Sequence, residues 1–227
     1  MRLLVAVKSC VRDALRGDED CVRQSWGKYL PENVDLRFFV GLPNFDDHFR
    51  AKDDEIILDC PDDYDSLPKK TWAILDFLTM TDYDFCFLCD NDTFVHVPKF
   101  MKCGFENYDF AGRFGHMPPL GEKFNYKDPR GVYNDIYGWP SGGVGYFVSR
   151  KAAELAIREE PKTWAEDQSI GQALGGHIKS GEIKAVDLPN FEGNVSWHFP
   201  RREYNNVVFN PTLGWHEKMI KQFGGVL

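Results

Sequence analysis

Short apolar runs alternate along this chain with stretches in which apolar residues recur every three or four positions. The first pattern is typical of buried strands and the second of amphipathic helices. We expect strands over residues 2–8, 34–40, 55–59, 84–89, 143–149 and 183–188, and helices over residues 17–30, 68–80, 98–103, 150–159 and 165–175. Strands that alternate with helices in this way predict an α/β fold. Residues 113–141 and 189–213 show little periodicity and are expected to be long irregular segments, which are usually functional or mobile.

Size and composition favour one globular domain over residues 1–227. A chain of 227 residues with 43% hydrophobic content can bury a single substantial core. Its net charge of -8, without a run of Lys or Arg, argues against a nucleic-acid partner. The first apolar run stops at Lys8, which makes it too short for a membrane span or the core of a signal peptide. We therefore expect no membrane span.

Six cysteines are present, and two of them, Cys86 and Cys89, have C-x-x-C spacing. Both fall in a predicted strand, where residues three apart face opposite sides of the sheet. No second cysteine pair or histidine cluster completes a zinc site. The cysteines are interpreted as buried reduced thiols, which predicts a cytoplasmic protein.

The strongest chemical signal follows the strand over residues 84–89, where the chain reads Asp90-Asn91-Asp92. A buried strand would deliver these side chains to the carboxyl edge of a sheet, the edge at which open α/β sheets bind ligands. Paired carboxylates suit Mg²⁺ or Mn²⁺, which bind substrate phosphates as well. The alternative is a polar turn, since Asp and Asn are common turn residues.

Two later segments add candidate groups. Gly142 and Gly143 would let a ligand approach the backbone, or would simply make a tight turn before a strand. Glu166 lies three residues after Thr163, and this spacing predicts a capping box at a helix start. Asp167 would then be free to act as a general base, or would be a solvated acid that the helix dipole stabilises.

Two histidines near the end of the chain, His198 and His216, could bring an imidazole to a metal at Asp90 and Asp92. A single histidine is more often only a packed or solvated side chain. The sequence leaves open which of the two has the role.

Five segments in this order resemble the β-1,3-glycosyltransferase group, which includes galactosyltransferases and Fringe-type enzymes (glycosyltransferase family 31-like). The resemblance covers about residues 2–200. The motifs it matches are R-x-T-W-G, D-x-Y-x-N-L-T-x-K-T, D-D-D, G-G-x-G-[YF] and an acidic pair before x-x-x-G. They correspond to residues 23–27, 62–71, 90–92, 142–146 and 166–171.

This resemblance implies a single-domain GT-A fold, which is a Rossmann-like mixed sheet flanked by helices with a DXD motif at a strand end. It implies an inverting transferase that moves a hexose or N-acetylhexosamine from a UDP-sugar to a hydroxyl of a glycan or glycoprotein. The metal, Mn²⁺ or Mg²⁺, would be held by Asp90, Asp92 and His198, with His216 as the alternative histidine. Asp167 would be the catalytic base. The residues implied in donor binding are Asp90, Asn91, Lys70, Gly142 and Gly143.

The chain also departs from the group. Ser25, Ser66, Pro68 and Asn91 replace the usual residues of three motifs. Animal members carry a membrane anchor, a stem and luminal disulfides, whereas this chain starts in its first predicted strand. We therefore expect a compact microbial or viral relative or an excised domain, acting as a monomer or weak dimer.

Two other functions fit an α/β protein with an acidic site. A sugar nucleotidyltransferase would show a glycine-rich loop after its first strand, and residues 5–10 contain no glycine. A glycan-binding relative without activity would not need Asp90, Asp92 and Asp167. The transferase is the favoured prediction.

Overall fold

The computed structural model describes residues 1–43, 49–115, 119–127, 133–198 and 211–223. Within these ranges the strands are β1 (Leu3–Lys8), β2 (Val34–Leu42), β3 (Glu55–Pro61), β4 (Phe85–Asp90), β5 (Thr93–Val95), β6 (Phe110–Gly112), β7 (Lys123–Lys127), β8 (Tyr133–Tyr137), β9 (Tyr146–Ser149), β10 (Ala185–Asp187) and β11 (Ser196–His198). The α-helices are α1 (Val11–Arg16), α2 (Asp18–Gln24), α3 (Leu67–Met80), α4 (Val97–Phe100), α5 (Arg150–Ala156), α6 (Glu166–Lys179) and α7 (Pro211–Gln222).

Seven strands form one mixed sheet in the order β10-β6-β9-β4-β1-β2-β3. Strands β4, β1, β2 and β3 run parallel to one another, and β10 is parallel to β6. Strand β9 is antiparallel to both of its neighbours, β4 and β6. The predicted α/β architecture is confirmed at this level. Because the four parallel strands share one direction, their carboxyl ends meet at one edge of the sheet.

Side chains of β1 alternate between two hydrophobic cores, one on each face of the sheet. Leu4 and Ala6 pack with residues of α3, α5 and α6 on one face. Leu3, Val5 and Val7 pack on the other face with residues of α2, α4 and α7. Fully burying a side chain such as Leu or Val stabilises the fold by about 1.5–3 kcal/mol. With both faces covered, the central strands are apolar throughout, which explains the uninterrupted runs in the sequence.

The alternation also separates the C-x-x-C pair. Cys86 belongs to the core that contains Leu4, and Cys89 to the core that contains Leu3. The two thiols therefore lie on opposite faces of the sheet and cannot bind the same zinc ion. This agrees with the prediction from strand periodicity.

The helix predicted over residues 17–30 is wrong in its extent. The chain forms two short helices, α1 and α2, on either side of Gly17, whose φ of +85° ends the first helix. A 3₁₀ turn over Gly27–Tyr29 follows α2. Helix α1 buries only Val11, so the sequence carries too weak an apolar stripe to reveal it. Among the described residues, none of the helices has both the length and the apolar character needed to cross a bilayer.

The two segments expected to be irregular contain regular structure. Strands β7 and β8 form an antiparallel hairpin within residues 113–141. Strand β11, within residues 189–213, pairs with β5, and α7 begins at the end of that segment. In β7 the residues alternate between exposed and half-buried, with none fully buried. A strand without a buried face gives a weak hydrophobic pattern, which is why the sequence did not predict it.

Candidate active site

The residues Asp90, Asn91 and Asp92 lie at the carboxyl edge of the sheet, as the sequence predicted. Asp90 ends β4 and pairs with Lys8, which ends the neighbouring β1. The side chain of Asp90 is 30% exposed, whereas Asn91 and Asp92 are 7% and 5% exposed. One carboxylate therefore faces an opening and the other lies within the protein.

The hydrogen bonds of Asn91 explain why an amide, rather than a carboxylate, occupies the middle position of the motif. Its side-chain Nδ2 donates to Asp13 Oδ2 at 3.2 Å and to Ser9 Oγ at 3.3 Å. Burial tends to raise the pKa of Asp13, but the hydrogen bond from Asn91 and the charge of Arg16 lower it below its usual value. An aspartate at position 91 would place two carboxylates in contact.

A buried ammonium group connects the aspartates to α6. The side chain of Lys8 is 1% exposed, and its Nζ lies 3.2 Å from Asp90 Oδ1 and donates to Glu166 Oε1. Burial would lower the pKa of Lys8, yet the negative charges of Asp90 and Glu166 outweigh it and raise the pKa. Lys8 is therefore charged and holds the two carboxylates together.

Glu166 does not cap α6, contrary to the predicted capping box. Helix α6 starts at Glu166 with Ala165 as its N-cap and without a side-chain cap. The carboxylate points to the interior instead, where Oε2 accepts hydrogen bonds from Tyr146 Oη at 2.6 Å and Thr71 Oγ1 at 3.4 Å. Because Lys8 and these donors satisfy a buried carboxylate, charge pairing at the site outweighs local capping.

Asp167, the predicted base, follows Glu166 in the first turn of α6. Its carboxylate accepts hydrogen bonds from the backbone N–H of Gly142 at 3.1 Å and of Gln168 at 2.7 Å. Burial, together with the charge of Glu166, raises the pKa of Asp167 to about 6, against the opposing effects of Gly142 and Lys8. At neutral pH this carboxylate is ionised and is more basic than an ordinary aspartate.

The two glycines have different surroundings. A Cβ atom on Gly142 would lie 2.4 Å from Glu166 Oε1 and 3.2 Å from Asp167 Oδ2. The missing side chain of Gly142 thus makes room for the acidic pair of α6. The carbonyl of Gly143 accepts a hydrogen bond from Thr93 Oγ1 at 2.8 Å, which joins this turn to the residue after Asp92.

His216 is the histidine whose described side chain lies near the aspartates. It is fully buried in α7, and its Nδ1 lies 2.8 Å from Ser25 Oγ and 3.2 Å from the carbonyl of Cys21. Its Nε2 is buried and makes no hydrogen bond with any described residue. Burial lowers the pKa of His216 to about 4, although the hydrogen bond with Cys21 and the charge of Asp92 act to raise it. The imidazole is therefore neutral at physiological pH.

His198 is only partly described. Its backbone ends β11 and pairs with Thr93, directly after Asp92. Its side chain lies outside the described residues, so the sequence prediction for it stands as made.

A cleft of about 970 Å³ opens where β1 to β4 end. Its walls include the end of β1, helix α1, Asp90, Asn91 and the segment that contains Asp62 and Lys70. This volume is within the range of small-molecule and cofactor sites. Its position at the carboxyl edge matches the predicted ligand site.

Lys70 lies in the wall of this cleft but already has partners. The side chain is 1% exposed, its Nζ lies 2.9 Å from Asp62 Oδ1, and it also donates to the carbonyl of Ser9. Asp62 accepts the backbone N–H groups of Val11 and Gly41, each at 2.6 Å. The Asp62–Lys70 pair therefore joins the segment after β1, the end of β2 and the loop after β3.

The sequence motifs predict no roles for Lys8 and Asp13, and they include Asp62 only as the first residue of one matched motif. A signal for Lys8 was present, because it ends an apolar strand just as Asp90 does. If the two strands lay side by side and parallel, their last residues would meet. Choosing that pairing required the strand order, which the sequence pattern alone does not provide.

Among the described residues, no group of three or more His, Cys, Asp or Glu side chains is placed to hold a metal ion. The chain matches no model of a known protein family, and a search of curated proteins found no similar sequence. The function must therefore be argued from the site.

Proposed function

We propose that the protein is a metal-dependent, inverting glycosyltransferase with a GT-A fold, which transfers a sugar from a nucleotide-sugar donor to a hydroxyl acceptor. One observation carries this proposal. Lys8 links Asp90, at the cleft on the carboxyl edge, to the acidic pair that holds Asp167, whose pKa is raised to about 6. Lys8 and Glu166 thus connect the proposed donor site to the residue next to the proposed base.

The sheet supports the GT-A proposal. Four parallel strands end at the cleft, and the antiparallel β9 follows next to β4, the strand that carries the aspartates. The resemblance of five motifs to family 31-like enzymes gives independent support. Neither observation identifies the sugar.

The side chains at the proposed donor site fit a divalent cation. Carboxylate groups suit Mg²⁺ and Mn²⁺, and a neutral imidazole is a common further metal ligand. The charge of Asp92 acts on the buried ring of His216, and the Nε2 of that ring makes no hydrogen bond with the described residues. Sites of this kind need only one or two protein carboxylates because substrate phosphates supply further ligands. Asp90 and Asp92 would hold the ion with His198, whose side chain lies outside the described residues, or with His216. The described groups Asp90, Asp92 and His216 are not by themselves placed to do so. A cation bound there would neutralise the charge of the departing diphosphate.

The remaining chemistry is the work of this chain's side chains. Asp167 would accept the proton of the acceptor hydroxyl as its oxygen attacks the anomeric carbon from the side opposite the diphosphate, which inverts that carbon. Gly142 holds the Asp167 carboxylate through its N–H. The negative charge of Glu166 makes Asp167 more basic. Lys8 supplies the counter-charge for both Glu166 and Asp90.

The test is UDP release from UDP-glucose, UDP-galactose and UDP-N-acetylglucosamine, with and without Mn²⁺. We expect Mn²⁺-dependent release from at least one donor. The Asp92→Ala variant should lose the Mn²⁺ response, and Asp167→Asn should lose at least 100-fold in transfer rate, in the range of a general base. Asp59→Asn, an exposed residue of β3, is the matched control.

Other outcomes point elsewhere. Donor binding in a thermal-shift assay without UDP release would identify a binding protein, since a ligand that binds only the folded state stabilises it. Release of diphosphate from UTP and a sugar 1-phosphate would identify a nucleotidyltransferase. Full transfer activity in Asp167→Asn would refute the assignment of the base.

A further inference from the structure

A second pocket lies beside the candidate base. It has a volume of about 460 Å³ and is enclosed by the β7–β8 hairpin, the segment before α6 and the first turns of α6. Its lining includes the aromatic rings of Tyr126, Tyr137 and Trp164 and the side chains of Gln168 and Gln172. Gln168 is the residue directly after Asp167.

The hairpin is fixed to α6 by specific contacts. Gln172 Oε1 accepts the backbone N–H of Tyr137, and its Nε2 donates to the carbonyl of Tyr137, both at 2.9 Å. A Cβ on Gly175 would lie 2.0 Å from Tyr137 Cγ, and a Cβ on Gly171 would lie 2.6 Å from Trp139 Cβ. Two glycines and one glutamine therefore let the strand lie directly on the helix. This wall of the pocket is therefore preformed.

Gln168 gives the pocket a polar group. The residue is 5% exposed and lines the pocket, and its side-chain amide is not among the fully buried atoms that lack a hydrogen-bond partner. An amide that lines a pocket can donate to and accept from the hydroxyls of a ligand there. Successive residues of a helix differ by about 100° in direction. The amide of Gln168 and the carboxylate of Asp167 thus face adjacent sectors around the start of α6.

We propose that this pocket binds a neutral sugar ring of the acceptor, and the proposal rests on the proposed glycosyl transfer. A sugar presents C–H groups to aromatic faces, which carry negative charge density, and hydroxyls to amides. Both lysines of the lining lie beside other groups, and Asp135 adds a carboxylate to the lining. Lys123 Nζ lies 5.0 Å from the ring centroid of Tyr137, and Lys162 Nζ lies 2.5 Å from Glu159 Oε2. An anionic ligand is therefore less suited to the pocket than a neutral one.

Saturation-transfer NMR without any donor tests this directly. The probes are methyl glycosides of glucose, galactose, mannose, fucose and N-acetylglucosamine. We expect at least one to bind wild-type protein, and its dissociation constant to rise at least tenfold in Tyr126→Ala and in Gln168→Leu. Tyr29→Ala removes a partly exposed tyrosine elsewhere and should bind as wild type does. Melting curves verify that each variant is folded, and Tyr126→Ala on the surface hairpin suffices if Gln168→Leu does not fold.

The result also separates the two proposals. Absence of binding by every glycoside, or binding that both Tyr126→Ala and Gln168→Leu leave unchanged, overturns the sugar pocket even if UDP release is observed. Sugar binding that depends on these residues, in a protein that releases no UDP from any donor, supports the pocket and overturns the transferase.

Discussion

The buried Lys8 Nζ lies 3.2 Å from Asp90 Oδ1 and also donates to Glu166, 158 positions further along the chain. The sheet and α6 are therefore joined by a charge rather than only by apolar packing. The same ammonium group touches the candidate metal-binding motif and the residue next to the candidate base. Stability and function should both depend on it.

Replacing Lys8 with Met keeps the apolar stem but leaves Asp90 and Glu166 without their counter-charge. Removal of one partner from a buried pair costs roughly 3–5 kcal/mol of unfolding free energy. Urea unfolding of Lys8→Met measures this loss. Lys69→Met, at an exposed position of α3, should differ from wild type by no more than about 0.5 kcal/mol. Equal losses in the two variants would show that the buried pairing does not stabilise the fold.

The contact between Asn91 and Asp13 predicts the effect of restoring an all-aspartate motif. Asn91→Asp places a carboxylate against Asp13 Oδ2, and we expect a loss of about 1–3 kcal/mol in unfolding free energy at pH 7. The double variant Asp13→Asn with Asn91→Asp exchanges donor and acceptor and should recover most of it. The comparison is a double-mutant cycle measured by urea unfolding. Additive losses in that cycle would rule out the proposed role of the contact.

The pKa of Asp167 predicts a pH profile. Since the base must be ionised, the transfer rate should fall as the pH drops through about 6, with a tenfold loss for each further pH unit. The measurement is kcat/KM for the best donor between pH 4.5 and 8. A rate that stays constant down to pH 4.5 would show that a different group is the base.

The same pKa predicts that stability falls as the pH rises, whereas the transfer rate increases. Burial and Glu166 raise the Asp167 pKa from 3.8 to about 6, so the folded state binds more protons than the unfolded state between these values. The carboxylate therefore reduces stability as the pH rises through this window. The unfolding free energy of Asp167→Asn, relative to that of wild type, should therefore be up to ~3 kcal/mol higher at pH 7 than at pH 3.5. Thermal or urea unfolding at both pH values measures the gain, and an equal difference at the two would contradict it.

Two adjacent glycines of α6 provide a matched pair. A Cβ at Gly175 would collide with the ring of Tyr137, whereas a Cβ at Gly176 would lie 3.8 Å from the nearest atom, Tyr137 Oη. Gly175→Ala should therefore lose about 1–3 kcal/mol of stability, as overpacking does. Gly176→Ala should be neutral or gain roughly 0.5–1 kcal/mol from helix propensity. Equal effects would mean that the hairpin does not lie against α6.

The sequence predicts those parts of the fold whose burial is visible as a hydrophobic pattern. Strands such as β1 and β4 are apolar throughout because both faces of the sheet are covered, and α3 shows an apolar stripe. The hairpin of β7 and β8 was missed because its stability comes from contacts with α6 rather than from burial of one face. Local strand propensity does not reveal stabilisation by contacts with a helix that is distant in sequence.

The candidate site was predictable in part for the same reason. The positions of Asp90, Asp92 and Asp167 at the sheet edge and at a helix start are predictable, because each residue follows or begins a regular element. The role of Glu166 was misread, because the spacing from Thr163 satisfies a local capping rule. Its actual partners, Lys8 and Tyr146, are distant in sequence, and only the sheet order brings them together.

Glu166, Asp167 and Gln168 are consecutive, and each side chain has a different neighbourhood: the buried charge network, the Gly142 turn and the hairpin pocket. The first contacts β1 and β9 and the second contacts the turn before β9, whereas the third meets a hairpin that lies on α6. If the hairpin pocket binds the acceptor as proposed, substitutions in β7 and β8 should alter acceptor choice without disturbing the lysine network. In an engineering experiment, the hairpin is the part to randomise and the start of α6 is the part to keep.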